Sequence, residues 1–449
     1  MNIKTIYSCS KCDAQFPKWQ GRCPECGAWG TLAKSVVTRK SQPITQGLPA
    51  GQVVKLDQVS GDQVARIASG LFEFDRVVGG GIVPGSLVLI GGDPGIGKST
   101  LVLQIANILS QKMPDQILYI SGEESAEQIK MRLKRIGQPN SKLNFLSETS
   151  CETTIATLQQ HQPKLAVIDS IQTMFTEEVK SEAGSVNQIK ACTAKLMEAA
   201  KPANLALIII GHVTKGGNLA GPKTLEHLVD TVLYLEGDKY HAFRILRSQK
   251  NRFGSTSEVG IFDMQTKGMM PVKNPSELFL AERQTKTPGS VVSCVVEGTR
   301  AFLVEIQALV SQTHFGYAKR TALGVNPKRL ELLVNVLKKR AKLKLSSQDI
   351  NVNVAGGLKI NEPAVDLAIC LAIYSALNNK VIDPKMVALG EVGLAGELRT
   401  VGDLDKRINE AIKLGFNQLM IPKSAKVQKP GKVNLIAVSN LSEAFGFLE

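Results

Sequence analysis

Gly92-Asp93-Pro94-Gly95-Ile96-Gly97-Lys98-Ser99-Thr100 is the most informative segment of this sequence. Its first eight residues fit the phosphate-binding pattern G-x-x-x-x-G-K-[ST]. An apolar run at residues 87–90 precedes the stretch, and an apolar run with helical spacing at residues 101–109 follows it. An ordinary glycine turn would not need both the full pattern and these flanks. We therefore predict a strand, a phosphate-binding loop and a helix, with residues 92–100 holding a nucleotide.

Two side chains of the loop have predicted roles in the chemistry. Lys98 is expected to reach the β- and γ-phosphates, and the Ser99 hydroxyl to coordinate Mg²⁺. Residues 165–169 read Leu-Ala-Val-Ile-Asp, an apolar strand that ends in a carboxylate. Many strands end in Asp, but at this distance after a phosphate loop the pattern predicts that Asp169 also holds Mg²⁺, directly or through water.

Hydrolysis needs a group that orients the attacking water. Residues 117–124 read Ile-Leu-Tyr-Ile-Ser-Gly-Glu-Glu, which places Glu123 and Glu124 after another strand. Because the carboxyl ends of parallel strands line the ligand crevice, one of the two is a candidate general base. The alternative is that both are solvated charges at the start of a helix. His212, after the run 205–210, is a candidate sensor of the terminal phosphate or an ordinary structural histidine.

Strand-like runs alternate with amphipathic stretches through the middle of the chain. The runs lie at residues 87–90, 117–120, 165–168, 205–210 and 232–235, which predicts a parallel α/β sheet. Proline and glycine clusters suggest boundaries, so we expect a segment at 1–30, a linker at 31–54, an α/β domain at 55–270, a second linker at 271–289 and another α/β domain at 290–449. In the last domain, 291–296 and 301–308 resemble paired strands and 327–343 a helix.

Four of the eight cysteines lie in the first 26 residues, in the pairs Cys9-x₂-Cys12 and Cys23-x₂-Cys26. Two such pairs can place four thiolates tetrahedrally around Zn²⁺, with no ligand position left open. Redox-active pairs or free thiols are the alternative, but tandem spacing favours a structural zinc site. Trp19 and Trp29 lie among basic residues here, which suits single-stranded nucleic acid or a protein docking surface.

The composition of the 449-residue chain favours an acidic partner and gives no sign of a membrane protein. It holds 54 basic and 40 acidic residues, a net charge of +14. Such a balance is typical of nucleic-acid binding without proving it. No apolar run approaches the ~18 residues that span a membrane, and the first residues lack the apolar core of a signal peptide. We expect a cytoplasmic protein.

The motifs together resemble one known family. Their order is the four-cysteine segment, Gly79-Gly80-Gly81-Ile82-Val83-Pro84-Gly85-Ser86, the phosphate loop, Ser121-Gly122-Glu123-Glu124-Ser125, Lys250-Asn251-Arg252-Phe253-Gly254 and a C-terminal α/β domain. This order closely resembles the bacterial RadA (Sms) family of RecA-like DNA repair ATPases over essentially the whole chain. The resemblance implies an α/β fold with a RecA-like P-loop ATPase core, an N-terminal four-cysteine zinc finger and a C-terminal Lon-protease-like domain.

The resemblance also implies an activity and partners. It implies a hexameric ring that hydrolyses ATP and moves on single-stranded and branched DNA. It implies branch migration of strand-exchange intermediates together with the RecA recombinase. Glu123 matches the family's water-activating glutamate better than Glu124. Lys250 and Arg252 match positions that reach an adjacent subunit's nucleotide or couple it to DNA, although an exposed basic turn is an equally common reading of the tripeptide alone.

The region from about residue 290 resembles the proteolytic domain of Lon, most clearly at 356–372 and 389–422. Lon-type proteolysis needs a serine nucleophile after a proline and a lysine base. Here Pro363 is followed by Ala364, and an aspartate of Gly402-Asp403-Leu404-Asp405-Lys406-Arg407 stands in the lysine's region. Without a hydroxyl or thiol no acyl-enzyme can form, so we expect an inactive protease scaffold used for assembly or DNA contact.

Residues 319–345 form a basic segment. They contain one acid, Glu331, and nine cations: Lys319, Arg320, Lys328, Arg329, Lys338, Lys339, Arg340, Lys342 and Lys344. A basic helix face is typical of phosphate binding. A solvated surface or a subunit interface is the alternative.

Three further functions compete with a DNA-dependent ATPase motor. An ATP-regulated protease is disfavoured by Ala364, and a strand-exchange filament by the appended C-terminal domain. A nucleotide-gated scaffold that remodels recombination proteins without translocating is not separated from a motor by the sequence.

Overall fold

The computed structural model describes residues 3–9, 15–24, 27–38, 55, 65–212, 225–237, 243–284, 286–313, 316–427, 431 and 433–448. Two predicted zinc ligands, Cys12 and Cys26, lie outside the described residues. Across the described ranges, no helix is long and apolar enough to cross a membrane. The chain divides into two compact units. Unit 1 comprises residues 1–69, 81–94 and 102–232, and unit 2 comprises residues 70–80, 95–101 and 233–449.

A small antiparallel sheet begins unit 1, with strand order β2-β1-β3. Its strands are β1 (Ile3–Cys9), β2 (Gln15–Phe16) and β3 (Leu32–Thr38). β3 lies within residues 31–54, for which the sequence predicts a linker. Leu32 pairs with Cys9 and is buried beside it, and the β-branched residues Val36, Val37 and Thr38 suit a strand. The small antiparallel sheet β2-β1-β3 therefore continues to residue 38.

The middle of the chain alternates helices and strands as the sequence predicts. In chain order these are α1 (Phe72–Val78), β4 (Leu87–Gly92), α2 (Lys98–Lys112), β5 (Ile117–Ser121), α3 (Ala126–Arg135), β6 (Asn144–Ser147), α4 (Cys151–His161), β7 (Leu165–Asp169), α5 (Val186–Ala200), β8 (Ala206–Ile210) and β9 (Thr231–Glu236). All five predicted strand-like runs are strands.

Unit 1 contains a parallel sheet with the order β4-β8-β7-β5-β6. β4, β5, β7 and β8 are buried along their whole length. Continuous burial is typical of a parallel sheet whose two faces are covered by helices. β8 lies between β4 and β7, so it separates the strand that enters the phosphate loop from the strand that ends at Asp169.

The rest of unit 2 follows β9. Its elements are β10 (Phe243–Asn251), β11 (Val259–Gln265), β12 (Gly268–Pro271), α6 (Pro275–Leu280), β13 (Ser290–Glu297), β14 (Arg300–Gln312), β15 (Arg320–Leu323), α7 (Pro327–Lys339), β16 (Gln348–Val354), α8 (Asp366–Asn378), β17 (Met386–Ala388), β18 (Glu391–Val392), β19 (Leu398–Arg399), α9 (Leu404–Lys413), β20 (Gln418–Pro422), β21 (Asn434–Val438) and α10 (Leu441–Gly446).

Unit 2 is built on two groups of strands. β10, β11 and β12 form an antiparallel meander that follows β9. The C-terminal strands form a mixed seven-stranded sheet in the order β15-β16-β14-β13-β17-β20-β21. The first ten residues of α8 are all buried against this sheet. Because α8 is buried on all sides, its sequence is apolar all round and has no polar face.

Two predicted elements of the C-terminal region are confirmed. β13 and β14 pair antiparallel, with Val291 opposite Ile306. α7 begins at Pro327 behind an Asn326 cap, and its apolar residues Leu330, Leu333, Val334 and Leu337 are buried. The helix ends at Lys339, not at residue 343 as predicted, because Arg340 caps it and Lys342 adopts a left-handed conformation with φ of 56°.

The stretch 271–289, predicted as a linker, contains α6. The Asn274 side chain accepts a hydrogen bond from the backbone of Glu277 and caps this helix. Phe279 of α6 packs against the rings of Phe243 and Phe302, with centroids 5.2 and 5.8 Å apart. The compact units consequently differ from the predicted domains, since the meander β10–β12 shares the core of the C-terminal sheet.

Candidate nucleotide-binding site

The carboxyl ends of the parallel strands of unit 1 meet at one edge of the sheet. The strand registers align Ile90 with Ile210, and Ser121 with Asp169. The edge therefore brings together the segments that follow β5, β7 and β8, which contain the predicted site residues Glu123, Glu124, Asp169 and His212. In open α/β sheets this edge is where ligands bind.

The glycines of the phosphate loop adopt conformations that other residues avoid. The φ angles of Gly92, Gly95 and Gly97 are 148°, 77° and 112°. A Cβ atom on Gly97 would lie 2.5 Å from the terminal methyl groups of Met264 and Met269, whereas one on Gly95 would meet no described atom within 4 Å. The loop is thus packed at Gly97 and open at Gly95. Successive backbone N–H groups in such a turn form a cradle that fits phosphate oxygens.

Lys98 and Ser99 begin helix α2, as the loop pattern predicts. Lys98 is almost fully buried, with 3% of its surface exposed. The carbonyl oxygen of Ile96 accepts a hydrogen bond from Nε of Arg244, 3.0 Å away, and Arg244 is itself buried. Arg244 lies 148 residues from its partner, so no local pattern could have pointed to this support for the loop.

Asp169, at the end of β7, is buried and has a partner that the sequence analysis did not identify. The hydroxyl of Tyr119 donates a hydrogen bond of 2.5 Å to Oδ2 of Asp169. Burial raises the pKa of Tyr119 well above its ordinary value, and the negative charge of Asp169 raises it further. Tyr119 therefore remains a proton donor that orients the carboxylate. Tyr119 lies two residues before Ser121, the strand partner of Asp169, so the register of β5 and β7 brings the two side chains together.

Glu123 and Glu124 have different hydrogen-bond and ion-pair partners. Oε1 of Glu123 accepts a hydrogen bond of 2.5 Å from the Ser170 hydroxyl and lies 3.6 Å from Nε2 of His212. Glu124 forms an ion pair of 2.6 Å with Arg132 of helix α3. Burial raises the pKa of Glu124, while Arg132 opposes the rise. Glu123 is therefore directed along the sheet edge, and Glu124 is directed toward a helix.

His212 lies at the same edge. Its backbone oxygen accepts a hydrogen bond of 3.4 Å from the Gln172 side chain. Its Nδ1 is buried and has no hydrogen-bond partner among the described residues. The imidazole of His212 therefore lies beside Glu123. The sequence had left open whether this histidine is a sensor of the terminal phosphate or an ordinary structural residue.

Lys250 and Arg252 lie in unit 2, where strand β10 ends. The asparagine between them is fixed at both ends of its amide: Asn251 Nδ2 donates to the Val77 oxygen at 3.4 Å, and its Oδ1 accepts from the Phe253 backbone at 2.9 Å. The tripeptide thus belongs to an ordered turn packed on helix α1.

The cysteine segment shows two of its four predicted ligands. Cys9 and Cys23 are 0% and 1% exposed and share a small apolar cluster with Leu32. The Gly27 backbone donates to the Cys23 oxygen at 2.9 Å, which closes the turn that follows Cys23. Sγ of Cys9 donates a hydrogen bond of 3.1 Å to the Thr31 hydroxyl, which in turn donates to the Ala28 oxygen. Two buried thiols with such surroundings fit a structural Zn²⁺, which Cys12 and Cys26 would complete.

We expect Cys23→Ser to release zinc from the purified protein. A hydroxyl is a poor replacement for a thiolate, and a segment this small depends on the metal for its folding. Zinc per chain, measured by atomic emission, should fall from about one toward zero. Cys151→Ser is the matched control, since Cys151 is buried elsewhere in unit 1 and should leave the metal content unchanged. An unchanged zinc content in Cys23→Ser would refute the zinc site.

In the region that resembles the proteolytic domain of Lon, charged side chains form ion pairs with one another. Ala364 is buried in a short 3₁₀ turn, residues Pro363–Val365. The adjacent Asp366 is buried and paired with Arg329, with Nε and Oδ1 3.0 Å apart. Asp403 forms an ion pair with Lys406, with Oδ1 and Nζ 2.7 Å apart. These described groups hold the segment together and provide no nucleophile at Ala364.

The cations of the basic segment divide into arginines paired within the fold and exposed side chains. The Arg320 guanidinium donates to the carbonyl oxygens of Lys319, Gln348 and Leu345, and Arg329 is paired with Asp366. These two arginines stabilise the fold and cannot serve a phosphate at the same time. The exposed cations of α7 and the following turn are Lys328, Lys339, Arg340, Lys342 and Lys344.

Comparison with known families supports the three-part organisation. Residues 55–218 match the family described as an AAA domain, residues 7–34 a rubredoxin metal-binding domain, and residues 326–425 subunit ChlI of Mg-chelatase. The rubredoxin-like match contains all four predicted zinc ligands. The predicted fold class is confirmed: an α/β, RecA-like P-loop ATPase core lies between an N-terminal zinc ribbon and a C-terminal Lon-like region.

Curated relatives match the chain over nearly its full length. The protein called "DNA repair protein RadA" of Bacillus subtilis (strain 168) is 47% identical over 451 residues, covering 98% of each chain. That of Pseudomonas aeruginosa is 45% identical over 449 residues, covering 99% of each. Among solved structures, the RadB recombinase is 20% identical with a TM-score of 0.37, covering 46% of this chain and 100% of its own. A KaiC-like protein of Pyrococcus horikoshii is 20% identical with a TM-score of 0.39, covering 46% and 99%.

Proposed function

We propose that this chain, which belongs to the RadA family of DNA repair proteins, is a DNA-dependent ATPase and helicase of recombinational repair. Family membership rests on relatives at least 45% identical over nearly the whole length. The observation that carries the catalytic part is the arrangement of Glu123 and Asp169 at one sheet edge. The basic C-terminal surface supports the DNA-binding part.

Each acidic residue at the edge has its own task in the proposed mechanism. Glu123 orients and deprotonates the attacking water, and the Ser170 hydroxyl keeps its carboxylate in position. Asp169, oriented by Tyr119, and the Ser99 hydroxyl hold Mg²⁺, which when bound neutralises phosphate charge. Lys98 and the backbone of residues 92–100 bind the phosphates of ATP.

The exposed cations around α7 are proposed to bind the phosphates of single-stranded and branched DNA. Lys328 lies at the start of α7, and the other four follow one another through the end of the helix and the next turn. Glu331 is the one carboxylate of the segment 319–345. Backbone binding of this kind depends steeply on salt and does not read sequence. The C-terminal region would then serve as a DNA-contacting platform and not as a protease, since Ala364 offers no nucleophile.

Replacing Lys339, Lys342 and Lys344 together by Gln should weaken binding of single-stranded DNA. If all three contact phosphates, the slope of log affinity against log salt should flatten by about 2, because each contact contributes roughly 0.7. The control replaces Lys112, Lys130 and Lys134, which are equally exposed in unit 1 and carry the same total charge. Fluorescence anisotropy at several salt concentrations measures both slopes. Equal slopes in the two triple variants would contradict the proposal that DNA binds this surface.

The remaining parts of the proposal come from the family. We propose a homo-hexamer in the cytoplasm, in which Lys250 and Arg252 reach the nucleotide of an adjacent subunit. An arginine supplied across an interface stabilises the charge of the transition state. In this arrangement the protein would work with the RecA recombinase to promote branch migration of strand-exchange intermediates.

The experiment that tests the function is ATP turnover with and without single-stranded DNA, at about 50 and 200 mM salt. We expect DNA to stimulate turnover, and the stimulation to weaken at the higher salt because phosphate contacts release counterions. Hydrolysis-dependent unwinding of a forked duplex would then be measured. Turnover that is indifferent to DNA would contradict the motor and favour the nucleotide-gated scaffold.

A further inference from the structure

A tight hairpin joins β13 to β14 in unit 2. Its turn, Glu297-Gly298-Thr299-Arg300, is called the hairpin tip below. Glu297 and Arg300 face each other in the ladder, and Gly298 has a φ of 63°, as a two-residue connection requires. The tip belongs to the C-terminal sheet by sequence, but its contacts lie on the meander and on α1.

The backbone of the hairpin tip lies directly on residues Ser257 and Glu258. The Thr299 backbone donates to the Ser257 oxygen at 3.0 Å, and the Thr299 hydroxyl donates to Oε1 of Glu258 at 2.7 Å. A Cβ atom on Gly298 would lie only 1.4 Å from the Ser257 oxygen. Contact this close leaves no room for a side chain, so the tip and the segment 255–258 hold one another in register.

Two ion pairs flank this contact. Arg300 pairs with Glu73 of α1 at 2.6 Å, and the same carboxylate oxygen accepts the Ile261 backbone at 2.7 Å. Glu73 is fully buried. On the other side, Glu297 pairs with Arg247 of β10, and Arg247 also pairs with Glu236 of β9 at 3.0 Å. The tip is therefore attached to α1, β10 and β11 together.

These attachment points surround the segment Lys250-Asn251-Arg252-Phe253-Gly254. Arg247 precedes the segment on β10, and Ser257 and Glu258 follow it. Asn251 donates to the Val77 oxygen, one helical turn along α1 from Glu73. A Cβ atom on Gly254 would lie 3.2 Å from Cα of Gly79, so the turn also packs on the end of α1. Both ends of the segment and the helix beneath it are thus joined through the tip.

We propose that the hairpin tip positions Lys250 and Arg252, with Thr299 and Arg300 acting as positioning residues for ATP turnover. The C-terminal region thereby orders the turn that carries the two cations. This inference rests on the proposed function for its effect on turnover. Its structural part, the ordering of residues 250–258, stands independently of any activity.

The first readout is amide hydrogen exchange of residues 250–258 in the full-length protein. Thr299→Val removes one hydrogen bond, and exchange of this segment should rise about 2- to 10-fold. Thr321→Val is the matched control, an exposed threonine on strand β15 of the same sheet that should leave the segment unchanged. An unchanged segment in Thr299→Val, or a rise spread evenly over all of unit 2, would overturn the inference.

The second readout separates positioning from simple stability. Arg300→Gln leaves the buried Glu73 without its ion-pair partner, and Arg300→Gln with Glu73→Gln removes both charges. We expect the double variant to recover the melting temperature while its kcat stays reduced and its KM for ATP stays within about 2-fold. Arg300→Lys, which keeps the charge, should recover part of kcat. A double variant with wild-type kcat would overturn the inference that the hairpin tip positions Lys250 and Arg252. A wild-type protein without any ATP turnover would instead refute the proposed function, and the hydrogen-exchange result would still test the ordering of residues 250–258.

Discussion

Lys98→Ala is expected to abolish ATP hydrolysis, with turnover reduced at least about 100-fold. The lysine begins α2 directly after the glycine cradle, and it is the loop's one charged group suited to the β- and γ-phosphates. Its burial means that the positive charge acts in a site of low dielectric, where it is worth more than in water. Turnover in a coupled assay and nucleotide affinity by fluorescence are the measurements.

Lys112→Ala is the control for this change. It removes the same side chain from the other end of the same helix, at an exposed position. Its turnover should equal that of the wild type. Hydrolysis retained in Lys98→Ala would contradict the assignment of residues 92–100 as a catalytic phosphate loop, and a loss in both variants would indicate damage to the helix.

Glu123→Gln should reduce turnover by about 10²- to 10⁴-fold while ATP still binds. The amide keeps the shape of the carboxylate and its contact with Ser170, but it cannot accept a proton from water. Glu124→Gln should remain within a few-fold of the wild type, because that carboxylate is committed to Arg132. The loss of the ion pair there should lower the melting temperature slightly.

Single-turnover kinetics with ATP distinguish chemistry from binding in both variants. A slow chemical step in Glu123→Gln with an unchanged dissociation constant is the expected pattern. If Glu124→Gln were the inactive variant and Glu123→Gln the active one, the general base would be Glu124 and the proposed mechanism would be wrong.

Local patterns were sufficient for a large part of this protein. The phosphate loop, the five buried strand runs, the paired strands at 291–296 and 301–308 and the apolar face of α7 all follow from period, spacing and turn residues. The boundaries were less well defined. β3 and α6 occupy stretches predicted as linkers, because apolar residues such as Leu32 and Phe279 find distant partners that their neighbours in sequence do not reveal.

The supporting side chains of the site were beyond sequence reasoning. Arg244 reaches the Ile96 oxygen across 148 residues, and Tyr119 reaches Asp169 across 50. Arg320 and Arg329 were counted with the cations available to DNA, yet they are used within the fold. In each case a partner lies at least 25 residues away in the chain, a separation that no periodicity encodes.

The candidates for chemistry follow from the sequence: the loop Gly92–Gly97 with Lys98 and Ser99, the carboxylates Glu123, Glu124 and Asp169, and the cysteine pairs. Chemical type and local spacing are properties of the chain alone. The different partners of Glu123 and Glu124, and the contacts of the hairpin tip around the segment that carries Lys250 and Arg252, are visible only in the folded chain. Both depend on hydrogen bonds and ion pairs between elements far apart in the chain, and those contacts exist only after the sheets have formed.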